Sequence, residues 1–309
     1  MKVSSTSQLA RNLKQKIGSR ITKDPCVGDP ELAKHRHAQA FVVSHPKSGR
    51  TWLRTMLSKY LCEISNRDFD PSEDISSLSQ QISDVPYIGL THDFSSITKH
   101  KARVRHTAAS LPSDKRVYKG KRVILLVRDL RDVMVSYYFD CTQRNQVFSG
   151  DISDFIRDEQ FGIAKAVSFL NGWHEQRTTP RSLLVLRYED MTLSPLGEFI
   201  KVCDFLDLPI SIEAAKTATE YSSFDNMKKL ERTGSFSNNA RFATGRSSKE
   251  GAYKVRKGKV LGFTEHLSKE DAIYLTDYIN KRLTPAYGYT CFGAEMLDDF
   301  LSPAKTYLA

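Results

Sequence analysis

The segment that decides the fold is His45-Pro46-Lys47-Ser48-Gly49-Arg50-Thr51-Trp52. It follows an apolar run, Ala40-Phe41-Val42-Val43-Ser44, and leads into a stretch whose apolar side chains, from Trp52 to Leu61, recur every three or four residues. This order predicts a buried strand, a loop and an amphipathic helix. The first N–H groups of a helix have no partner within it and lie at the positive end of its dipole. The loop is therefore predicted to bind an oxyanion.

The side chains of this loop fit such a site. Gly49 lets the backbone approach an anion closely, Ser48 and Thr51 add hydroxyl donors, and Lys47 adds a mobile positive charge. The loop of nucleotide triphosphatases places its lysine directly after a glycine, with a hydroxyl residue for magnesium next. Here the lysine precedes the glycine, which disfavours ATP or GTP as the ligand. An ordinary strand, turn and helix with a solvated lysine is the alternative for this loop alone.

A second candidate anion site follows another apolar run, Val123 to Val127. Arg128 comes next, at the end of a strand, where open α/β sheets usually bind their ligands. A helix is predicted to begin near Asp129, and Ser136 lies about two helical turns beyond Arg128, so both side chains can lie on one side of that helix. An arginine and a serine so placed predict a grip on a second phosphate. The neighbouring acidic and basic residues are equally well explained as helix-cap and surface charges.

The remaining pattern predicts an α/β fold. Further strands are predicted at Leu183 to Leu186 and, more weakly, at Val85 to Leu90, which ends before Thr91-His92. Helices are predicted over 151–177, 211–221 and 269–283, the last capped by Ser268 with Asp271 three residues on. Alternating strands and helices predict a central, mainly parallel sheet flanked by helices, with a P-loop-like strand, loop and helix.

A single domain is predicted over residues 37–309, after a basic N-terminal extension or helix over 1–36. The length of 309 residues is common for an undivided α/β domain, and no internal repeat appears. Residues 1–23 contain no Asp or Glu, which weakly resembles a transit peptide, but Leu9, Leu13, Ile17 and Ile21 favour a short amphipathic helix. Residues 232–252, rich in Ser, Asn, Gly and Arg, predict a mobile surface loop.

The net charge of +10 suits a polyanionic ligand, an anionic membrane or nucleic acid without choosing among them. No apolar run approaches the ~18 residues that a membrane span needs. The basic stretch 99–122 lacks the interleaved aromatic residues expected of a single-strand nucleic-acid site. We therefore expect neither a membrane nor a nucleic-acid partner.

The cysteines argue against both a disulfide framework and a zinc site, because they are odd in number, scattered and without a CxxC pair. They are Cys26, Cys62, Cys141, Cys203 and Cys291. No acidic metal-ligand cluster is evident either, so we expect no metal. This cysteine usage fits a reducing compartment, and we expect the protein in the cytoplasm.

Together the motifs resemble those of the sulfotransferase family. The family loop PKSGTTW is similar to Pro46 through Trp52, the segment RxxxDVxVSYY to Arg128 through Tyr138, and the late element RKGxxG to Arg256 through Gly262. The matches occur in family order and span residues 41–264. The resemblance implies an enzyme that moves a sulfuryl group from 3′-phosphoadenosine-5′-phosphosulfate (PAPS) to a hydroxyl or amine of a small-molecule acceptor. The product of the donor would be 3′-phosphoadenosine-5′-phosphate (PAP).

The resemblance also implies which residues hold the donor. The 5′-phosphosulfate would be held by Lys47, Ser48, Gly49, Arg50 and Thr51, with Arg50 at a place often held by threonine. The 3′-phosphate would be held by Arg128, Ser136, Arg256, Lys257 and Gly258. The adenine and its surroundings would be contacted by Trp52, Tyr188, Ser222 and Phe224. Core packing is the alternative role for the three aromatic residues.

His92 matches the catalytic histidine of the family and would take the proton of the acceptor hydroxyl. Asp93 is the alternative base. Lys47 would stabilise the charge that develops on the bridging oxygen of the leaving nucleotide. Ser136 would hold Lys47 until the acceptor arrives, which limits hydrolysis of the donor.

The acceptor is left open. Leu90 stands where animal cytosolic enzymes carry lysine, and the segment after Gly262 lacks their dimer motif, so the chain is closer to bacterial-type small-molecule enzymes and its oligomeric state is unknown. The acceptor site is expected within 66–100, 137–160 and the 232–252 loop, which we expect to close over it. Candidate wall residues are either aromatic (Tyr87, Phe94, Tyr138, Phe139, Phe148, Phe236, Phe242) or acidic (Asp70, Glu73, Asp74, Asp84, Asp93). The alternative functions are an ATP-dependent small-molecule kinase and a non-catalytic basic binding module.

Overall fold

The computed structural model describes residues 29–96, 106–232 and 259–290. Several predictions lie outside these residues: the extension up to residue 28, the loop residues 233–252 with Phe236 and Phe242, the triplet Arg256, Lys257 and Gly258, and the residues Cys26 and Cys291.

A four-stranded parallel sheet forms the centre of the described residues. Its strands are β1 (Ala40–Ser44), β2 (Ile88–Thr91), β3 (Arg122–Val127) and β4 (Ser182–Arg187), in the order β2-β1-β3-β4. Every neighbouring pair is parallel, and Val43 lies opposite Thr91 on one side and Leu125 on the other. The carboxyl ends of all four strands therefore meet at one edge. In this order the connection from β1 leads to one side of the sheet and the connection from β3 leads to the other. Open α/β sheets form a ligand crevice between two such strands.

Helices cover both faces of the sheet. They are α1 (Pro30–Lys34), α2 (Arg50–Ile64), α3 (Ile75–Leu78), α4 (Leu130–Phe139), α5 (Ile152–Arg157), α6 (Ile163–Glu175), α7 (Tyr188–Leu193), α8 (Pro195–Phe205), α9 (Ile212–Tyr221), α10 (Phe224–Arg232) and α11 (Lys269–Arg282). Short 3₁₀ turns occur at Arg116–Tyr118, Gly262–Glu265 and Pro285–Tyr287, and a π-helical turn at Asp140–Arg144 continues α4. No helix of the described residues is long and apolar enough to cross a membrane.

Alternate residues of each strand enter two separate cores. Val42 and Leu126 pack in the core that contains apolar residues of α2, α8 and α9. Val43 and Leu125 pack in the other, which contains apolar residues of α4, α6 and α11. Because both faces of β3 are covered, its run of apolar residues is buried from Val123 to Val127, as the sequence predicts for a parallel strand.

Most predicted elements are confirmed, and two boundaries are wrong for identifiable reasons. The weak strand begins at Ile88 rather than Val85; Pro86 has no N–H to donate to a neighbouring strand. The helix predicted over 151–177 is two helices, because the Asp158 carboxylate accepts hydrogen bonds from the N–H groups of Gln160 and Phe161 and so diverts the backbone. The predicted cap of α11 is confirmed, since Ser268 Oγ accepts from the Asp271 N–H at 3.1 Å.

Helix α1 fastens the chain before β1 to the end of β2. The Asp29 carboxylate caps α1 through the N–H groups of Glu31 and Leu32. Its second oxygen accepts hydrogen bonds from Thr91 Oγ1 at 3.2 Å and from the Phe94 N–H at 2.9 Å. The loop that carries His92 is therefore held at both of its ends by one buried carboxylate.

Candidate functional site

The loop between β1 and α2 has the geometry of an anion cradle. Lys47 and Gly49 both have positive φ angles, 70° and 101°, and Gly49 is the N-cap of α2. No side chain among the described residues caps this helix start, so its first N–H groups face the crevice without a side-chain acceptor. Ser48 is buried within the loop. The predicted turn and its position at a helix N-terminus are confirmed by this local geometry.

Tyr188 closes one side of the loop. A methyl group at Gly49 would lie 2.7 Å from the Tyr188 ring, so a side chain at this position would clash. The Tyr188 ring also meets the Trp52 ring edge to face, with centroids 5.6 Å apart, and the Arg128 guanidinium lies 4.2 Å from the Tyr188 centroid. Because Tyr188 starts α7 directly after β4, the ends of three strands contribute to this corner.

Arg128 connects the loop to the segment that follows the predicted RKG element. Its guanidinium donates to the Lys47 carbonyl at 3.3 Å and to the Lys259 carbonyl at 3.0 Å. Asp132 lies 3.7 Å from the same guanidinium and accepts the N–H groups of Leu261 and Phe263 at 2.9 and 2.8 Å. Burial raises the pKa of Asp132 to about 6, and the Arg128 charge opposes that rise. These bonds hold residues 259–263 beside Arg128.

Three of the residues predicted to bind PAPS each have a buried N–H or O–H group with no hydrogen-bond partner among the described residues. These groups are Arg128 Nε, Trp52 Nε1 and Ser222 Oγ. A buried donor without a partner is costly, and bound ligands often satisfy such groups. All three belong to residues that the sequence assigns to donor binding.

The other predicted residues take varied positions. Arg50 pairs with Glu31 of α1 at 3.2 Å, and Thr51 lies in the first turn of α2. Ser136 lies on α4, and its hydroxyl makes no hydrogen bond to Lys47 among the described residues. Phe224 starts α10, where it is partly buried, 5.9 Å from the Lys228 ammonium.

His92 is held in one tautomer at the end of β2. Its Nδ1 lies 2.8 Å from the Ser44 carbonyl oxygen, and since a carbonyl only accepts, Nδ1 carries the proton. The other ring nitrogen, Nε2, therefore bears a lone pair. Burial and, to a smaller extent, the nearby Arg50 charge lower the pKa of His92 to about 3. A neutral, oriented imidazole is the state that a general base requires.

Asp93 lies in the core rather than in the crevice. Its carboxylate accepts hydrogen bonds from Lys115 Nζ at 2.5 Å, from Tyr118 Oη at 3.0 Å and from Trp173 Nε1 at 3.0 Å. Three donors occupy a carboxylate that is only 1% exposed, so the geometry speaks against Asp93 as the alternative base. The sequence did not indicate this buried cluster, because its members are distant in the chain.

One contact and one pKa shift near the loop were also missed by sequence reasoning. Lys47 Nζ lies 3.3 Å from Asp140 Oδ1, and Asp140 stands four residues after Ser136, one helical turn along the same face. Beneath the loop, burial and the Lys165 charge lower the pKa of His45 to about 3. The spacing from Ser136 to Asp140 is the signal that could have revealed the contact.

The candidate acceptor walls differ in their availability. The described aromatic candidates are Tyr87, Phe94, Tyr138, Phe139 and Phe148, and all are partly buried against the core that contains α4 and α6. Among the acidic ones, Asp74 pairs with Lys34, and Asp70 accepts from the Ser72 N–H. Asp70 and Asp74 are thus already engaged. Tyr138, Phe139 and Phe148 form an aromatic wall, in which the Tyr138 ring centroid lies 5.4 Å from that of Phe139, and the Tyr138 and Phe148 rings both contact Phe155.

The comparisons with known proteins show the family. The sulfotransferase domain family matches residues 37–286. Similar curated proteins include an amine sulfotransferase of Oryctolagus cuniculus, 24% identical over 77% of this chain and 78% of its own, and cytosolic sulfotransferase 14 of Arabidopsis thaliana, 26% identical over 77% and 73%.

Similar solved structures share the fold at low identity. The mouse sulfotransferase SULT7A1 complexed with PAP has a TM-score of 0.51 and 17% identity, and covers 82% of this chain and 90% of its own. Retinol dehydratase in complex with androsterone and inactive cofactor PAP has a TM-score of 0.53 and 16% identity, with 79% and 80% covered.

Asp93→Asn is expected to lower the free energy of unfolding by ~3 kcal/mol, because it leaves the Lys115 ammonium buried without a counter-charge. Urea denaturation measures this, with Asp277→Asn as control: its carboxylate pairs with Lys281 on the exposed surface of α11, and the loss there is expected to stay within ~0.5 kcal/mol. A variant that keeps wild-type stability but cannot transfer would contradict the structural role and restore Asp93 as the base.

Proposed function

The chain belongs to the sulfotransferase family, and from that premise we propose how its own residues transfer a sulfuryl group from PAPS to a hydroxyl or amine of a small-molecule acceptor. The observation that carries the proposal is the position of Arg128. Its guanidinium bonds to the backbone of the phosphate loop and lies against Tyr188, in the crevice between β1 and β3. The Arg128 cation therefore lies between the anion cradle and the aromatic corner of Trp52 and Tyr188. This arrangement suits a nucleotide that carries anionic groups at both the 5′ and the 3′ position of its ribose.

The residues present fit such a donor. The uncapped start of α2 and the Lys47 ammonium suit the 5′-phosphosulfate. Arg128, whose Nε has no partner among the described residues, suits the 3′-phosphate. Trp52 and Tyr188 suit the adenine, since stacking on an aromatic face is a general way to hold a base. We propose that Ser136 and Ser222 add hydroxyl donors, and that Arg256, Lys257 and Gly258 complete the 3′-phosphate site.

The bound donor supplies an activated sulfur atom with a stable leaving group. The chain supplies position and charge. Lys47 and the N–H groups of α2 stabilise negative charge at the loop as it develops. His92 Nε2 accepts the proton of the acceptor as its oxygen or nitrogen approaches, and the Ser44 carbonyl keeps the ring in the required tautomer. In this scheme Asp93 stays a core residue.

The environment of the protein and its acceptor are proposed on coarser grounds. Cys62, Cys141 and Cys203 are free thiols in the structure, and two of the similar Arabidopsis proteins are named cytosolic sulfotransferases. We place the protein in the cytoplasm on that basis. The aromatic wall of Tyr138, Phe139 and Phe148 supports an acceptor with an apolar or aromatic body.

Two alternatives are weaker. A small-molecule kinase needs a lysine after the loop glycine and a place for magnesium, and the order of Lys47 and Gly49 does not match. A basic module that only binds would not require a part-buried imidazole held in one tautomer beside the loop. The state of His92 therefore favours catalysis over simple binding.

His92→Ala is expected to lower transfer at least ~100-fold while PAP affinity stays within about twofold. Because the pKa of His92 lies at about 3, the base form persists at neutral pH, and its ring should not titrate between about pH 5 and about pH 8. The rate is measured as transfer of labelled sulfate to a panel of phenols and amines, and the titration of the ring is measured by histidine-ring NMR. His37→Ala, on the exposed surface, is the control. Retained turnover in His92→Ala would contradict this role, whereas a titration near ~6.5 would contradict only the desolvation of the ring, since such a histidine could still act as a base.

Arg128→Ala is expected to weaken PAP binding ~10- to 100-fold, the loss of charge-assisted hydrogen bonds, and to weaken the binding of adenosine 5′-phosphate less, because that ligand has no 3′-phosphate and loses only the support that Arg128 gives the loop. Lys47→Ala should weaken the binding of both ligands. Calorimetric titration measures these affinities, with the exposed Arg116→Ala as control. An equal loss for both ligands in Arg128→Ala would mean that Arg128 supports the loop rather than the 3′-phosphate.

A further inference from the structure

We propose that Asp140 is a positioning residue for Lys47: its carboxylate holds the Lys47 ammonium in the resting protein and competes with the donor for it. The inference rests on the function proposed above. It replaces the holding role that the sequence assigns to Ser136 with a charged group one helical turn farther along the chain.

The contact between the two residues is well defined. Lys47 Nζ lies 3.3 Å from Asp140 Oδ1, and each side chain is only 14% exposed. The other carboxylate oxygen accepts a hydrogen bond from Asn145 Nδ2 at 2.6 Å. The two oxygens of Asp140 therefore have different partners, one on the phosphate loop and one on its own turn.

The backbone around Asp140 fixes the direction of this carboxylate. Asp140 stands at the end of α4, where the helix widens into the π-helical turn Asp140–Arg144, and the Asn145 N–H closes that turn on the Asp140 carbonyl at 2.8 Å. Single π-helical turns within α-helices occur often at functional sites. Here the turn presents a carboxylate to the loop from a rigid support.

A carboxylate restrains an ammonium more strongly than a hydroxyl does. An ammonium–carboxylate pair adds the attraction between two opposite charges, which an ammonium–hydroxyl bond lacks, and this pair is largely shielded from water. The Ser136 hydroxyl, in contrast, makes no hydrogen bond to Lys47 in the described part of the chain. Asp140 is thus the group that sets where the Lys47 charge rests before the loop is filled.

Two consequences follow for the reaction. Binding at the loop requires Lys47 to leave or share the Asp140 carboxylate, so Asp140 lowers the affinity for the donor. As long as Asp140 shares the Lys47 ammonium in the complex with PAPS, the ammonium also stabilises the leaving oxygen less. In the wasteful reaction a water oxygen bonds to sulfur, the bond from sulfur to the 5′-phosphate oxygen breaks with its electron pair, and the water proton is released, which gives PAP and sulfate. Less charge stabilisation at that oxygen means slower hydrolysis.

The test compares wild type, Asp140→Asn and, as a matched control, Asp277→Asn on the exposed face of α11. Calorimetry measures PAP affinity, and release of labelled sulfate from PAPS without acceptor measures hydrolysis. Asp140→Asn is expected to bind PAP ~3- to 10-fold more tightly, the scale of a partly shielded ion pair, and to hydrolyse PAPS faster by a similar factor. The control should match wild type in both measurements.

The outcomes separate this inference from the proposed function. If wild type binds PAP and Asp140→Asn equals it in affinity and hydrolysis, the restraint does not exist. Weaker PAP binding by a folded Asp140→Asn protein would make Asp140 a support of the loop and would also overturn the inference. Failure of wild type itself to bind PAP would reject the function first. Should Asp140→Asn not fold, Asn145→Ala removes the donor that competes with Lys47 for this carboxylate, so it must shift both measurements in the opposite direction.

Discussion

The Arg128 guanidinium at the crevice between β1 and β3 is the interaction on which the rest of the site depends. It bonds to the Lys47 carbonyl in the loop between β1 and α2 and to the Lys259 carbonyl, far away in the chain, and it lies on the Tyr188 ring. Parallel strands make this possible, because their carboxyl ends deliver the loop, the arginine and the tyrosine to one edge of the sheet. Through these partners the Arg128 guanidinium is held at a fixed distance from the anion cradle at the start of α2.

The surrounding charges are arranged so that the reactive groups stay in defined states. Lys47 rests on Asp140 and Arg50 on Glu31, and in the core Lys115 rests on Asp93. His92 stays neutral because burial and the Arg50 charge both oppose its protonation. The candidate base is therefore kept unprotonated chiefly by burial, with a smaller contribution from the Arg50 charge.

Much of this arrangement could be predicted from the sequence, and the reasons why the rest could not are physical. Strand–loop–helix order and residue type revealed the phosphate loop, Arg128 and His92, because a helix N-terminus and a strand end have local signatures. The order β2-β1-β3-β4 could not be read, since it depends on which helices fill each face. The buried cluster around Asp93 and the pairing of Asp140 with Lys47 both join residues that are far apart in the chain. Trp52 and Tyr188 were predicted, but their edge-to-face contact and the limit it places on Gly49 needed coordinates.

The central claim is that the crevice is built for a nucleotide with separate 3′ and 5′ anionic groups rather than for a nucleoside triphosphate with magnesium. Calorimetric titration of the wild-type protein with PAP, and in parallel with ATP and Mg²⁺, tests it most directly. The account predicts PAP binding at least ~100-fold tighter than ATP binding, a difference of about 2.7 kcal/mol. Equal affinities, a preference for ATP, or no binding of PAP would contradict it.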